Sequence, residues 1–266
     1  STDIERSTAA TASGALVGKI AGLNTRQNDG RPGASTQLQI RNMGEPLYVI
    51  DGVQSDGGQF NNLDFNDIEN ISILKDASAA MYGIRAANGV VVVTTKKGHR
   101  NSKNTVSVNA YYGWQKNSVW IKPSDVKTYV NAYAAAETWA GKSEGDRRYP
   151  KSEYDKWMTG TEKGYQGFNW RDYIWQSAPQ YYINTNFSGG SDKSNYYVAI
   201  SHLGQDATVR NYGGFKRNNV QMNIDMNVNE KFKIGPNMNG RIEARKNPGV
   251  PGDDDYWLPR VAVLRK

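Results

Sequence analysis

From residue 104 onward, apolar and polar side chains alternate along extended runs of the chain. The clearest run places Val220, Met222 and Ile224 on one face and Gln221 and Asn223 on the other. These runs reach about ten residues, the length of a tilted membrane-spanning strand, whereas strands of globular proteins mostly have about five or six. The polar faces hold Asn, Gln, Asp and Arg, which suits a water-filled lumen. The pattern therefore predicts the beginning of an antiparallel transmembrane β-barrel.

Residues 1–98 have a different texture, with short elements separated by Gly, Pro, Asn and Asp. Leu16, Ile20 and Leu23 fall on one face of a helical repeat, which predicts a helix over 14–23. Other short patterns and turn residues predict further elements. These are a strand at 37–41, a strand at 47–50, a polar loop at 54–62, a helical turn leading into a strand at 67–74, a helix at 77–82 capped by Asp76, and a strand at 90–95. We therefore expect an α+β domain over 1–98.

The connections between the long strands alternate in length. Residues 189–194 and 227–231 are tight turns, whereas 116–179 is very long and contains helical patterns. Outer-membrane barrels have short periplasmic turns and long outer loops, so we expect 116–179 to be extracellular. We expect about five barrel strands in 99–266, fewer than the eight of the smallest closed barrels. Because hydrocarbon does not tolerate an open sheet edge, we expect the working protein to continue beyond Lys266.

Composition narrows the function without fixing it. The net charge of +7 comes from scattered Lys and Arg rather than from a patch, so nucleic acid is not an expected partner. The chain has no Cys, and its mean hydropathy of −0.72 comes without an apolar run long enough for a transmembrane helix. The acidic run at 253–255 fits no Ca²⁺ loop and is more simply a flexible acidic loop. We expect no enzyme activity, no cofactor and no metal site.

Four ordered motifs carry a resemblance to a known family. They are the residues at 15–22 (ALVGKIAG), 46–53 (PLYVIDGV), 66–83 (NDIENISILKDASAAMYG) and 85–98 (RAANGVVVVTTKKG). With them, residues 1–98 resemble the plug domain of TonB-dependent receptors, more narrowly of the SusC/RagA family of Bacteroidetes importers. One departure is Asn42, which stands where the family usually has Gly after Ile-Arg. The TonB-box segment of the family would lie upstream of residue 1.

The resemblance implies an active importer of oligosaccharides or peptides in the cell outer membrane of a Bacteroidetes-type Gram-negative bacterium. The implied fold is an α+β plug domain followed by a large closed barrel of 22 strands in contact with outer-membrane lipid. The implied partners are a SusD-like surface lipoprotein that covers the barrel and TonB, which pulls on the plug. The residues assigned to these parts are 1–98 for the plug and 99–266 for the first strands of the barrel.

Two loops of the N-terminal domain are candidates for substrate contact, because the corresponding plug loops of related receptors touch substrate. Their Asn, Gln and Asp side chains suit hydrogen bonds with a polar ligand, and their glycines permit close approach of the backbone. The alternative is that both are plain connecting loops. The candidate residues are Asp29, Arg31, Gln54, Asp56, Gln59 and Asn61.

Three charged residues, Arg41, Glu69 and Arg85, are candidates for a clasp between plug and barrel. In related receptors the equivalent arginines help to hold the plug against barrel carboxylates. The alternative is a set of ordinary surface ion pairs, each worth about 0–1 kcal/mol.

Two other functions remain open at this stage. The first is an outer-membrane receptor that acts mainly in signalling or adhesion, which a further N-terminal domain would indicate. The second is a soluble β-sheet binding protein or hydrolase. The length of the strands and the lack of a persuasive carboxylate pair disfavour this second alternative.

Overall fold

The computed structural model of the chain describes residues 7–27, 30–75, 77–118 and 124–246. The chain forms two compact units. Among the residues just given, the first comprises those within 7–115, 178–207 and 213–246, and the second comprises those within 116–177 and 208–212.

A four-stranded mixed sheet organises the N-terminal region, a name used here for the described residues up to 98. Its strands are β3 (Leu47–Ile50), β4 (Val53–Ser55), β5 (Ile68–Leu74) and β6 (Val90–Thr95), in the order β4-β3-β6-β5. Strand β3 runs parallel to β6, and the other neighbours are antiparallel. The run of Val residues in β6 is buried on both faces, as expected for a central strand. The predicted strands at 47–50, 67–74 and 90–95 are therefore present.

The predicted helix over 14–23 is wrong. Helix α1 covers only Ala12–Ala15, and strand β1 already begins at Leu23 (Leu23–Arg26), paired with β2 (Gln37–Ile40). Gly18 and Gly22 adopt φ values of 69° and 76°, and a backbone in that left-handed conformation cannot continue a helix. Leu16 and Leu23 are buried in the core as the spacing suggested, but Leu16 reaches it from a turn and Leu23 from the start of β1.

The predicted polar loop at 54–62 is also wrong, because it contains β4 and helix α2 (Gly57–Asn62). Asp56 caps this helix by accepting a hydrogen bond from the Gln59 amide at 2.7 Å. Phe60 is fully buried and stacks on Tyr48, with 5.1 Å between ring centroids. The composition of this segment is typical of a loop, but the segment forms a short helix whose Phe60 side chain packs in the core.

Short 3₁₀ helices complete the region. They cover Phe65–Asp67, Ala77–Tyr82 and Ile84–Ala86. The helix predicted at 77–82 is therefore present in the tighter 3₁₀ form, and its predicted cap, Asp76, lies outside the described residues.

A second, antiparallel sheet contains the long strands. Within the described residues, five strands of ten or more residues follow one another in this sheet in chain order. They are β7 (Thr105–Gln115), β8 (Ala178–Gly190), β9 (Ser194–Asp206), β10 (Gly214–Asn227) and β12 (Asn237–Lys246); the two-residue β11 (Lys233–Ile234) also pairs with β10. We call these strands together the long-strand sheet.

Burial in the long-strand sheet is inverted relative to a soluble protein. The polar side chains of Asn184 and Gln221 are buried, at 0% and 1% exposure. On the opposite face, Ile200 and Val220 are about half exposed, at 55% and 47%. The polar face packs on the N-terminal region, and the apolar face points away from it. The predicted separation of polar and apolar side chains onto opposite faces of these strands is therefore confirmed, and the polar face is the one that the N-terminal region covers.

The second unit is helical where it is described. It contains α3 (Val126–Trp139), α4 (Lys151–Thr159) and α5 (Trp170–Ile174). Asp125 caps α3 by accepting a hydrogen bond from the Thr128 amide at 2.9 Å. Within the residues that the structure describes, no helix has both the length and the apolar character needed to span a membrane. The extracellular position of 116–179 stays a prediction.

Candidate functional site

The N-terminal region is held against the long-strand sheet mainly by hydrogen bonds to its backbone. Side chains of the sheet donate to carbonyl oxygens of the N-terminal region, which places little demand on the sequence that is held. The bonds are Arg217 to Ala10 at 2.6 Å, Asn219 to Asn62 at 2.6 Å, Asn223 to Lys96 at 2.7 Å, Arg241 to Asn61 at 3.0 Å and Arg245 to Gly33 at 3.0 Å.

Gly33 brings one loop into close contact with the sheet. Its amide donates to the Gln205 side chain at 2.8 Å, and its φ of 71° lies in the left-handed region. A Cβ atom at this position would lie 2.5 Å from the Phe215 ring. Only glycine therefore fits between the loop backbone and this ring.

Two carboxylates, Asp64 and Asp67, are buried where the region meets strands β8 and β9, at 1% and 2% exposure. We call these residues the acidic pair. Asp64 accepts hydrogen bonds from the hydroxyl groups of Tyr182, at 2.7 Å, and Ser201. Asp67 accepts from the Tyr197 hydroxyl at 2.9 Å and from the Asn184 amide at 3.2 Å. The contacts that hold the pair are thus neutral donors.

The environment of the acidic pair favours a bound proton. Burial, and to a lesser extent the neighbouring carboxylate of Asp64, raises the pKa of Asp67 to about 7. Hydrogen bonds from Tyr197 and Asn184 and the charge of Lys96 act in the opposite direction and are outweighed.

A cavity of about 940 Å³ opens between the N-terminal region and strand β12. It brings together four of the residues predicted to contact substrate, one from a loop and three from helix α2 and its cap: Arg31, Asp56, Gln59 and Asn61. The sheet contributes Arg241, Glu243 and Arg245 from alternate positions of β12, which share one face of the strand.

Several contacts fix the side chains of the cavity wall. Arg241 forms an ion pair with Glu243 at 2.5 Å, and the Arg245 guanidinium lies 5.5 Å from the centroid of the Phe215 ring. Because Glu45 and Asp56 also line the cavity, its charges of both signs are mixed. Charged and amide groups held in this way suit a polar ligand with many hydrogen-bonding groups.

The other predicted residues lie elsewhere. Gln54 belongs to β4, where it pairs with Val49, and Asp29 lies outside the described residues. The proposed clasp residues are dispersed and exposed: Arg41 in the turn after β2, Glu69 in β5 and Arg85 in a 3₁₀ helix. They belong to three different elements, and their role as a clasp stays a prediction.

Sequence reasoning missed the acidic pair. Its members lie in the run Leu63-Asp-Phe-Asn-Asp-Ile68, where polar residues alternate irregularly with apolar ones in a way that resembles a surface turn. The long strands did indicate that polar partners exist. Asn184, Arg217 and Gln221 lie on the polar faces of these strands, and buried polar side chains need hydrogen-bond partners.

The comparisons with known proteins agree with this architecture. Residues 1–90 match the family described as TonB-dependent Receptor Plug Domain. TonB-dependent receptor P26 of Formosa agariphila is 33% identical over 239 residues, which cover 85% of this chain and 22% of that protein. SusC of Bacteroides thetaiotaomicron, also described as a TonB-dependent receptor, is 30% identical over 248 residues, covering 84% of this chain and 22% of SusC. The chain belongs to the TonB-dependent receptors.

A structural comparison extends this result to the SusC/RagA group of TonB-dependent receptors. The structure of the RagAB peptide importer in an open-open state matches with a TM-score of 0.76 and 26% identity, covering 93% of this chain and 30% of the other. The SusC/RagA resemblance of the sequence is therefore confirmed, and with it a place in the cell outer membrane. Members of the family are transporters rather than enzymes. The N-terminal region is the plug, and the long-strand sheet corresponds to the start of the wall of the receptor barrel. The chain spans about a fifth of the length of the curated relatives it matches.

Proposed function

We propose that the protein to which this chain belongs imports oligosaccharides or peptides across the outer membrane, driven by TonB and assisted by a SusD-like lipoprotein. The relatives support nutrient import in general terms. One relative is SusC, a TonB-dependent receptor, and a structure that this chain resembles is named a peptide importer. The oligosaccharide class is proposed from the resemblance of the sequence to the SusC/RagA family.

The observation that carries the proposal is the cavity between plug and wall. A plug loop and helix α2, which are separate in the sequence, converge there on three charged side chains of β12. The lining offers guanidinium, carboxylate and amide groups, which bind the hydroxyl groups of sugars as well as the amide groups of peptides. We propose that substrate rests against Arg31, Gln59 and Asn61 before the plug moves.

Uptake by intact cells tests this function. A deletion strain is complemented with the full-length protein, and accumulation of labelled oligosaccharide and peptide mixtures is measured with and without TonB. We expect TonB-dependent uptake of one of the two classes. Full uptake without TonB, or uptake of neither class by cells that display the protein at normal levels, would overturn the proposal.

A pair of variants tests the cavity itself. Gln59→Ala removes a side-chain amide from the lining of the cavity. It keeps the hydrogen bond from the backbone amide of residue 59 to Asp56, which caps helix α2. Uptake should therefore fall while the surface level of the protein stays constant. Asn70→Ala removes an exposed amide from β5 and serves as the control. Equal uptake by the two variants would exclude Gln59 from substrate contact.

A further inference from the structure

The other plug–wall contacts described above are hydrogen bonds to the plug backbone. The acidic pair differs from them because it buries two side-chain carboxylates. Asp64 and Asp67 are both almost completely shielded from solvent. Two carboxylates that are buried together and held by neutral donors are costly to ionise at the same time.

The charged and titratable groups around the pair come from four wall strands and from the plug. On the wall these are Tyr111 of β7, Tyr182 of β8, Tyr197 of β9 and Arg217 of β10, and on the plug it is Lys96. Arg217 interacts with Asp64 through space, but its guanidinium donates to the Ala10 carbonyl. Cations thus lie close to the pair, while its observed hydrogen bonds come from neutral groups.

A second observation concerns Asn66, which stands between the two carboxylates in the sequence. Its side-chain amide donates to the Tyr182 hydroxyl at 2.7 Å. Its Oδ1 is buried and accepts no hydrogen bond from any described residue. A buried acceptor beside two carboxylates is the partner that a protonated carboxyl group needs.

We propose that a proton bound at Asp67, next to the buried carboxylate of Asp64, forms a pH-sensitive latch, which holds the plug against strands β8 and β9 while the proton is bound and loosens when the proton is lost. The inference rests on the proposed function in one respect, since import requires the plug to leave this contact. It adds a site at which the local pH sets how easily the plug is released.

The sign of the pH effect follows from Asp67. Burial raises the pKa of Asp67 in the folded contact to about 7, above its ordinary value of 3.8. The contact therefore binds the proton more tightly than the opened plug does. Its stabilisation is fully present below about pH 4 and is lost as the pH rises through about 7.

Hydrogen–deuterium exchange of the full-length protein in detergent tests the latch without any substrate. The amides of 63–70 are followed from about pH 5 to about pH 9, after correction for intrinsic exchange. We expect exchange to accelerate by up to about a hundredfold, the factor set by the two pH units between pH 5 and the pKa of about 7.

Variants separate the latch from a purely structural role. Asp67→Asn keeps the shape of the side chain and removes the titration, so exchange of this segment should become nearly independent of pH. Tyr197→Phe removes a hydrogen bond that lowers the pKa of Asp67, so the midpoint should move to higher pH. Asp192→Asn, in the exposed turn before β9, is the control and should behave as the unmodified protein.

The outcomes are distinct. Exchange that is independent of pH in the unmodified protein, or a pH dependence that survives in Asp67→Asn, would overturn the latch. Faster exchange of Tyr197→Phe at every pH, with an unchanged midpoint of the pH dependence, would also overturn it. That result would mean that the lost hydrogen bond weakens the contact without changing how Asp67 binds its proton. None of these results depends on uptake, so the latch and the proposed import fail separately.

Discussion

At Gly33, a missing side chain determines how closely plug and wall approach each other. The residue combines a left-handed backbone with an aromatic ring at the position of its absent Cβ. The same loop carries Arg31 into the cavity. The placement of Arg31 therefore depends on Gly33, whose backbone forms hydrogen bonds with the side chains of Gln205 and Arg245.

We expect Gly33→Ala to destabilise the loop by more than backbone strain alone. The strain of a left-handed alanine is about 1–2 kcal/mol, and the overlap with Phe215 adds to it. Gly18→Ala is the matched control, because Gly18 has nearly the same φ, 69°, with no atom within 4 Å of the added Cβ. Limited proteolysis of the 30–36 loop measures the difference, and equal cleavage of the two variants would contradict the close contact with Phe215.

Phe60 is a single residue on which the core of the plug depends. Replacing this fully buried ring with alanine should destabilise the plug by about 3–5 kcal/mol, because a cavity forms beneath Tyr48. Phe232→Ala, at an exposed position after β10, should cost about 0.5 kcal/mol or less. The urea dependence of plug proteolysis in the full-length protein measures both, and similar midpoints would show that Phe60 is not a core residue.

At the scale of elements, the sequence predicted strands better than helices. Alternation identifies a strand and its two faces locally, so the polar sides of β8 and β10 could be assigned before the structure. The spacing of Leu16, Ile20 and Leu23 suggested a helix, but Gly18 and Gly22 redirect the chain while the same side chains still reach the core. Helix α2 was missed because its two glycines and two asparagines are typical of loops, and only the burial of Phe60 reveals its anchor.

The candidate site was predictable only in part, for a related reason. Arg31, Asp56, Gln59 and Asn61 were found because loop composition and family resemblance both point to them. Arg241, which meets Asn61, is 180 positions away from it in the sequence. The four side chains that donate to the acidic pair are 117 to 137 positions away from it. Pairings across such distances follow from the packing of plug on wall, which no local pattern encodes.

The inverted faces of the long strands give a direct prediction. Val220→Arg places a charge on the apolar face of β10, where an arginine near the middle of the bilayer costs about 2–4 kcal/mol. The level of folded protein in the outer membrane should fall. Val53→Arg makes the same change at an exposed position of the plug and should leave assembly intact. Equal assembly of the two variants would contradict a lipid-facing β10.

At the scale of the whole molecule, the plug is seated on the polar face of the first wall strands, and we expect that it must leave this face for import. The contact between Asn219 of β10 and the Asn62 carbonyl, at 2.6 Å, is a suitable point to test this claim. The chain contains no cysteine, so two introduced thiols have no competitor within it.

The most direct measurement combines cross-linking with uptake. Asn62→Cys and Asn219→Cys are introduced together into the full-length protein, the thiols are joined in intact cells, and uptake of substrate is followed before and after cleavage of the link with a reductant. We expect efficient cross-linking, loss of uptake while the link is intact, and recovery of uptake once the link is cleaved. Failure of the thiols to join in a correctly assembled protein, or undiminished uptake with the link fully formed, would contradict this expectation.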